Sequence, residues 1–394
     1  MNIEEIKKIA LDHSNTMTET RRHLHMHPEL DFDVENTAGY ILDVLEKLDI
    51  EAEITPCNGV KGLLNCGKEG PNVAFRADMD ALPLSEKNDL SYASVNKGAM
   101  HACGHDAHMA ILIGLAHILA SKREEARGSA RFIFQPAEET SGGADRMIRE
   151  GVLEDPHVSS IFSLHVSPDL PAGHAGYKEG KMRAAADMFD ITVHGFSSHG
   201  AEPHRGVDGI VVSTRIIDVV QHLVSRRVSP LDSAVITFGT LTGGTARNIL
   251  ADKVTMSGII RTLDENTRIM IRKELAKIVK TIAASMGAEA DIVFTEGYPA
   301  LVNDPEMTGI ARDSAGTFLG KEKVISLEKP SMGVDDFSFF LRERPGCYFM
   351  LGTASEDREN NFPLHHPRFN IDESILPAGA GILATIFLKI TGML

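Results

Sequence analysis

Short, uninterrupted runs of apolar residues recur along this chain, and polar side chains follow each of them. The runs lie at residues 73–75, 132–134, 161–164 and 347–352, and helical patterns separate them. Such runs are typical of strands that are buried on both faces, as in parallel sheets covered by helices. The sequence therefore predicts an α/β domain with a mostly parallel sheet.

The polar clusters that follow these runs are candidates for a functional site. They comprise residues 76–80, residues 135–139, His165 and the pair His365-His366. In open α/β sheets, ligands bind beyond the carboxyl ends of the strands. A single histidine or acidic loop of this kind is more often structural, but several such clusters at strand ends of one sheet predict a shared site.

The pattern changes between residues 183 and 295. Strands are predicted at 188–194, 233–241, 253–261 and 290–294, with helices at 208–224 and 266–286. This β-α-β-β-α-β order is that of a ferredoxin-like α+β domain. We therefore predict a smaller domain at 183–295, inserted into a larger domain formed by residues 1–182 and 296–394.

Composition excludes several classes of function. With 40 basic and 55 acidic residues, the formal charge of −15 argues against nucleic acid and anionic membrane surfaces as partners. The longest apolar stretches, at 110–120 and 382–388, fall short of the roughly 20 residues that span a bilayer. Four cysteines do not make a disulfide framework, and the first residues do not form a signal peptide. The expected location is the cytoplasm.

The densest group of potential metal ligands is residues 100–108, Met-His-Ala-Cys-Gly-His-Asp-Ala-His. Cys103 and His105 are donors suited to a divalent cation, and Gly104 allows the turn that brings them together. A helix start with a buried cysteine and solvated histidines is an equally good interpretation of this segment alone.

Adjacent carboxylates at Glu138 and Glu139 allow one to bind a metal while the other accepts a proton. Asp80 is a candidate for orienting a ligand. Taken singly, a solvated acidic loop is the more common explanation. In the 183–295 segment, His199, Asn248 and Arg261 lie in or beside polar loops, and nothing local makes them catalytic.

Taken together, these motifs resemble the M20 metallopeptidase family. The matching segments run in order from about residue 20 to about residue 370 and include residues 22–25 (RHLH), 75–83 (FRADMDALP), 100–108 (MHACGHDAH), 134–139 (FQPAEE), 164–165 (LH), 198–203 (SHGAEP), 243–248 (GGTARN) and 333–337 (GVDDF). Within the family, the chain is similar to the amidohydrolase branch that includes N-acyl-amino-acid, hippurate and auxin-conjugate hydrolases.

The resemblance implies a site with two divalent metal ions, of which Zn²⁺, Mn²⁺, Co²⁺ or Ni²⁺ suit the donors. The implied ligands are Cys103, His105, Glu139, His165 and His365, with His366 as the alternative to His365. Glu138 matches the general base, and Asp80 matches the orienting carboxylate.

The resemblance also implies roles outside the ligand set. His199 matches a histidine that reaches across a dimer to stabilise the oxyanion, so a homodimer or higher homo-oligomer through the inserted domain is expected. The resemblance thus implies a lid or dimerisation domain at 183–295 and a catalytic, metal-binding domain formed by 1–182 and 296–394. Asn248 and Arg261 match positions that hold the substrate carboxylate, and Gly333 matches a residue whose backbone lines the pocket.

The implied reaction is hydrolysis of an N-acyl amino acid, with an acetyl or aryl-acyl group, to a carboxylic acid and a free amino acid. One alternative is a dipeptidase or carboxypeptidase of the same family. A second is a catalytically silent metal-binding homologue, which predicts that a ligand or the base is missing.

Overall fold

A computed structural model describes residues 2–355 and 361–394. The chain folds into two compact units. The first comprises Met1–Met182, Val302–Lys329 and Asp335–Leu394, and the second comprises Arg183–Leu301 and Pro330–Val334. The roles that we predict for segments 1–182, 183–295 and 296–394 stay predictions.

The described residues form ten α-helices and fourteen strands. The helices are α1 (Ile3–Asp12), α2 (Ser14–Met26), α3 (Glu35–Lys47), α4 (His105–Ala120), α5 (Gly143–Arg149), α6 (Gly209–Arg226), α7 (Glu265–Ser285), α8 (Pro305–Leu319), α9 (Phe337–Glu343) and α10 (Leu376–Ile390). The strands are β1 (Glu51–Ile54), β2 (Val60–Asn65), β3 (Lys68–Asp78), β4 (Arg127–Gln135), β5 (Ser160–Pro171), β6 (Ala175–Tyr177), β7 (Gly180–Arg183), β8 (Ala185–His194), β9 (Ala234–Gly243), β10 (Lys253–Thr262), β11 (Glu289–Glu296), β12 (Leu301–Asn303), β13 (Val324–Ser326) and β14 (Gly346–Ala354).

An eight-stranded sheet forms the centre of the first unit, in the order β1-β2-β4-β3-β5-β14-β6-β13. Its central strands β4, β3, β5 and β14 are parallel to one another, whereas β1 and β2 pair antiparallel. The paired parts of β3, β4 and β5 are buried almost throughout. The predicted α/β fold with a mostly parallel sheet is therefore confirmed.

Two apolar helices complete the core of this unit. Helix α4 is buried along nearly its whole length and packs against α10. The stretch Glu373–Ile390 is long and apolar enough to cross a membrane by length and composition, but 72% of it is buried inside the protein. It packs within the hydrophobic core, as the core helix of a globular domain does.

The second unit contains a four-stranded antiparallel sheet in the order β11-β8-β10-β9. Helices α6 and α7 pack against it and against each other around a separate apolar core. Asp208 and Asp264 cap their N-termini by accepting backbone N–H groups. The predicted β-α-β-β-α-β order is present, and the helix predicted at 266–286 spans Glu265–Ser285.

One local expectation was wrong. His165 does not close its strand, because β5 continues to Pro171. The β3–β5 ladder ends at Arg76 and Ser163, but β14 continues to pair with β5 through and beyond His165. Pairing on that side keeps the backbone extended where the other neighbour has already ended.

Candidate metal centre

Four segments of the first unit bring the predicted metal-site residues together. Strand β3 leads to Asp80, β4 leads to the two glutamates, β5 carries His165, and the turn into α4 carries the Cys-Gly-His segment. The loop before α10 adds His365. The residues assembled in this way are Asp80, Cys103, His105, Glu138, Glu139, His165 and His365.

Five overlapping groups of donor atoms in the described residues lie at distances compatible with a shared ion. Within each group, the donor atoms are all within 4.8 Å of one another. Three groups consist of predicted site residues, Cys103/His105/His165, Cys103/Glu139/His365 and His105/Glu138/Glu139, and the other two are Asp78/His105/His108 and Glu138/Asp335/Asp336. Because Cys103, His105 and Glu139 are each shared by two of the first three groups, the cluster offers ligands for two neighbouring cations.

The two buried imidazoles direct the same nitrogen into the cluster. Nδ1 of His105 donates to the carbonyl of Asp80 (2.8 Å), and Nδ1 of His165 donates to the carbonyl of Val166 (2.7 Å). Metal-binding histidines characteristically donate their other ring N–H in this way. Nε2 of His105 is buried and has no hydrogen-bond partner within residues 2–355 and 361–394. These donors therefore fit a pair of divalent cations.

Asp80 holds the turn that carries both glutamates. Its two carboxylate oxygens accept the backbone N–H groups of Glu138 (2.9 Å) and Glu139 (3.0 Å). The preceding residue, Ala137, has a left-handed backbone with φ +57°, a conformation that non-glycine residues rarely adopt. Asp80 thus acts on the backbone of the glutamates and, through its own carbonyl, on His105.

Glu138 lies in an acidic and buried environment. Burial raises the pKa of its carboxyl well above the usual value, and the charges of Asp335 and Glu139 raise this pKa further, while His105 opposes them. Burial likewise raises the pKa of the Cys103 thiol, and Glu139 adds to that effect. A carboxyl group with a raised pKa suits proton transfer near neutral pH.

The structure distinguishes the two adjacent histidines before α10. His365 has a left-handed backbone (φ +64°) and places Nε2 3.2 Å from Oε1 of Glu139. His366 instead stacks on Phe362, with ring centroids 4.6 Å apart, and its Nδ1 accepts the N–H of Arg368. His365 is therefore the member of the pair that joins the cluster.

The sequence analysis missed a buried ionic network beside the cluster. Arg76 donates to Asp78 (2.7 Å), to Asp336 (3.0 Å) and to Gln135 (2.8 Å). Asp336 also accepts from Gln135 and from the backbone of Ala144. The two acidic residues of the 333–337 motif were the available signal, but only Gly333 was singled out there.

The remaining predicted residues lie in the second unit and form two pairs. His199 and Asn248 are exposed on adjacent loops, where the N–H of Gly200 donates to the carbonyl of Asn248 (2.8 Å). Arg261 donates to the carbonyl of Met332 (2.8 Å), immediately before Gly333.

Comparisons with known proteins identify the family of the chain. Residues 74–389 match the family described as Peptidase family M20/M25/M40. The chain is 37% identical to thermostable carboxypeptidase 1 of Saccharolobus solfataricus, over 98% of both chains. It is 38% identical to N-acetyl-L-cysteine deacetylase of Bacillus subtilis, over 90% of this chain and 83% of that protein.

A solved structure of a family member has the same fold. The Bacillus subtilis YXEP protein, described as a dinuclear metal binding peptidase from the M20 family, superposes with a TM-score of 0.83 at 32% identity. The match covers 97% of this chain and 99% of that one. The fold and donor cluster define a metallohydrolase. The chain belongs to the M20 family and is a hydrolase that acts on amide bonds.

Proposed function

We propose that this enzyme hydrolyses N-acyl amino acids at a centre of two divalent cations held by Cys103, His105, Glu139, His165 and His365. The observation that carries the proposal is the convergence of these donors beside Glu138, a buried carboxylate. The distances also allow Glu138 to bind a cation, and we assign it to proton transfer because the other five residues supply the ligands. Zn²⁺, Mn²⁺, Co²⁺ and Ni²⁺ all suit thiolate, imidazole and carboxylate donors.

When bound, the cations polarise the scissile carbonyl and lower the pKa of the attacking water. Glu138 is the proposed general base: its carboxylate takes the proton of that water and returns it to the leaving nitrogen. Asp80 supports this role, because its hydrogen bonds fix the backbone of Glu138 and Glu139 together. One glutamate can then bind metal while its neighbour transfers the proton.

His199 is the proposed donor to the oxyanion. Its Nδ1 accepts the N–H of Ala201 (3.1 Å), so a neutral ring carries its hydrogen on Nε2. The exposed ring can present Nε2–H to a group outside its own loop. Loss of one oxyanion donor typically costs about 10²–10³ in rate, and we expect that loss in His199→Ala.

We further propose that Arg261 and Asn248 bind the α-carboxylate of the substrate, with the backbone of Gly333 lining the pocket. A guanidinium has five donors in a fixed fork, and one of those of Arg261 is used by Met332. A substrate whose carboxylate is replaced by an amide should react with much lower kcat/KM. Equal efficiency would remove Arg261 from this role.

The names of related proteins include both deacetylases and peptidases. One relative is named an N-acetyl-L-cysteine deacetylase, whereas another is named a carboxypeptidase. The second candidate is therefore a peptidase that cleaves free or longer peptides. A silent homologue lacks a ligand or the base, and each of these positions carries a competent side chain here.

A substrate panel tests the proposal. Purified enzyme is stripped with chelator, reloaded with Mn²⁺, Zn²⁺, Co²⁺ or Ni²⁺, and assayed on N-acetyl and N-benzoyl amino acids, free dipeptides and longer peptides. We expect the acylated amino acids to have the highest kcat/KM. Glu138→Gln is the control. It should retain the metal content, and its rate should be lower by a factor of about 10²–10⁴. Preference for free-amine dipeptides would favour the peptidase.

We also propose a homodimer formed through the second unit. Strand β9 is the edge of its four-stranded sheet, is ten residues long and is largely exposed; such an edge favours pairing with another chain. If His199 acts across this dimer, mixing inactive Glu138→Gln and His199→Ala enzymes should restore activity after subunit exchange. Light scattering measures the oligomer, and a monomeric active enzyme would contradict the proposal.

A further inference from the structure

His108 connects two strands at the point where they separate. Strands β3 and β5 pair only as far as Arg76 and Ser163. Beyond that point the N–H of Val166 donates to Nε2 of His108 (2.9 Å). A buried N–H needs an acceptor, and here an imidazole of α4 provides it in place of a neighbouring strand.

The hydrogen bonds of His108 define its tautomer. Because the backbone N–H of Val166 is a donor, Nε2 of His108 carries a lone pair and the ring hydrogen lies on Nδ1. That nitrogen lies 2.5 Å from Oδ1 of Asp78. The His108 side chain is buried, as is Asp78. The ring therefore joins the end of β3 to β5 through one donor and one acceptor.

Val166 transmits this connection to the candidate ligands. Its carbonyl accepts Nδ1–H of His165 (2.7 Å), and Nε2 of that ring lies 3.5 Å from Sγ of Cys103. Its side chain packs on Gly104, which has φ +85° and where a Cβ would lie 2.3 Å from Cγ2 of Val166. A displacement of Val166 would therefore disturb both His165 and the turn that carries Cys103 and His105.

Asp78 fixes the other nitrogen of the His108 ring and lies beside His105. Its Oδ2 accepts a hydrogen bond from Arg76 (2.7 Å) and lies 3.6 Å from Nε2 of His105. The His108 ring itself lies 5.4 Å from the ring of His105 and 4.6 Å from that of His165. By distance, His108 also forms a possible ligand group with Asp78 and His105. Both of its ring nitrogens are hydrogen-bonded, and it therefore does not belong to the proposed ligand set.

We propose that His108 is a positioning residue of the metal centre. Asp78 fixes the ring of His108, and through Val166 that ring holds His165 and the turn that carries Cys103 and His105 in the arrangement that binds the cations. This inference rests on the metal centre proposed above, and it assigns a role to a histidine of the 100–108 motif that the hydrolytic mechanism leaves unused.

The test compares two substitutions of His108 in the full chain. His108→Leu removes both hydrogen bonds. His108→Gln restores a donor and an acceptor separated by one carbon, as in imidazole. The matched control is His117→Leu, which makes the same substitution later in α4, where the ring stacks on His13. Co²⁺ is titrated into each stripped protein, and visible absorption reports both the affinity and the ligand geometry.

Loss of a group that orients a metal ligand typically costs about 10- to 100-fold in metal affinity. We expect that loss, with a shifted cobalt spectrum, in His108→Leu, and recovery of most of it in His108→Gln. His117→Leu should bind like the wild type. A merely structural role would lower the stability of His108→Leu but leave its cobalt affinity and spectrum unchanged.

The outcomes separate this inference from the proposed function. A wild-type protein that binds no cobalt overturns the metal centre itself. If the wild type binds cobalt, two results overturn the role of His108. In the first, His108→Leu equals the wild type in cobalt affinity and spectrum. In the second, His108→Gln binds cobalt no better than His108→Leu. If His108→Leu does not fold, NMR of ¹⁵N-labelled histidine in the wild type replaces it. The His108 signals are those that disappear in His108→Gln. The proposal requires these signals to show the Nδ1–H tautomer, and the Nε2–H tautomer would refute it.

Discussion

The substitution Asp80→Asn should uncouple the two glutamates from the strand that positions them. In the wild type, each carboxylate oxygen of this residue accepts one buried backbone N–H, from Glu138 and from Glu139. Asparagine keeps one acceptor but presents its NH₂ group to the other N–H. A hydrogen bond to a charged group contributes about 1.5–3 kcal/mol, and an unsatisfied buried donor has a cost of similar size.

We therefore expect the free energy of unfolding to fall by about 1.5–3 kcal/mol. If the same free energy must be spent to restore the turn before catalysis, kcat falls by about 10- to 150-fold. Because Glu139 is a proposed metal ligand, the metal affinity should also fall. Neither Glu138 nor Glu139 is altered chemically, so these losses would measure positioning alone.

The test uses two assays. Urea unfolding is monitored by circular dichroism, because the chain has no tryptophan, and steady-state kinetics are measured at saturating metal. Asp304→Asn is the control. Asp304 accepts the N–H of Met307 (2.9 Å) at the start of α8, and asparagine caps helices as well as aspartate does. Asp304→Asn should change little. If Asp80→Asn matched it in both stability and kcat, the reasoning about the turn would be refuted.

Two further predictions concern stability. Burial lowers the pKa of His117 to about 4, and His13 adds to the shift. Between pH 6.5 and 4 the unfolded chain then binds more protons than the folded one, so stability falls as the pH falls through this window. His117→Gln should flatten that dependence in urea unfolding, and an unchanged slope would contradict it. In the second unit, buried Arg268 pairs with Asp187 (2.6 Å). Arg268→Met leaves this buried carboxylate with a longer contact to Arg272 (3.8 Å), and the variant should cost up to about 3–5 kcal/mol. The double variant Arg268→Met/Asp187→Leu should recover part of the lost stability. If it recovers none, the charge of Asp187 is not the cause of the loss.

The fold was largely predictable because its signals are local. Continuous apolar runs identified strands buried on both faces, and alternation identified the half-exposed strands of the second unit. Ends of elements were less predictable. The end of β5 depends on pairing with β14, which lies far away in the sequence, and no local pattern of residues near His165 encodes that neighbour.

The composition of the candidate site was predictable by residue type, since thiol, imidazole and carboxylate groups are rare after buried strands unless they have a function or a partner. The choice between adjacent histidines was harder. It depends on backbone conformation, because the left-handed His365 directs its ring to Glu139 while His366 stacks on Phe362. Sequence spacing does not contain that information.

The positions that hold the ligands were the least predictable, and the reason is physical. Two parallel strands must separate to leave room for a metal centre, and their separation leaves backbone N–H groups without strand partners. The group that satisfies such an N–H can come from any element that reaches the gap, as His108 of α4 does for Val166. Its importance comes from the place where β3 ends relative to β5. In the sequence, a histidine that positions ligands therefore cannot be told from a histidine that binds metal. The structure separates the two roles, because both ring nitrogens of the positioning histidine are hydrogen-bonded within the protein.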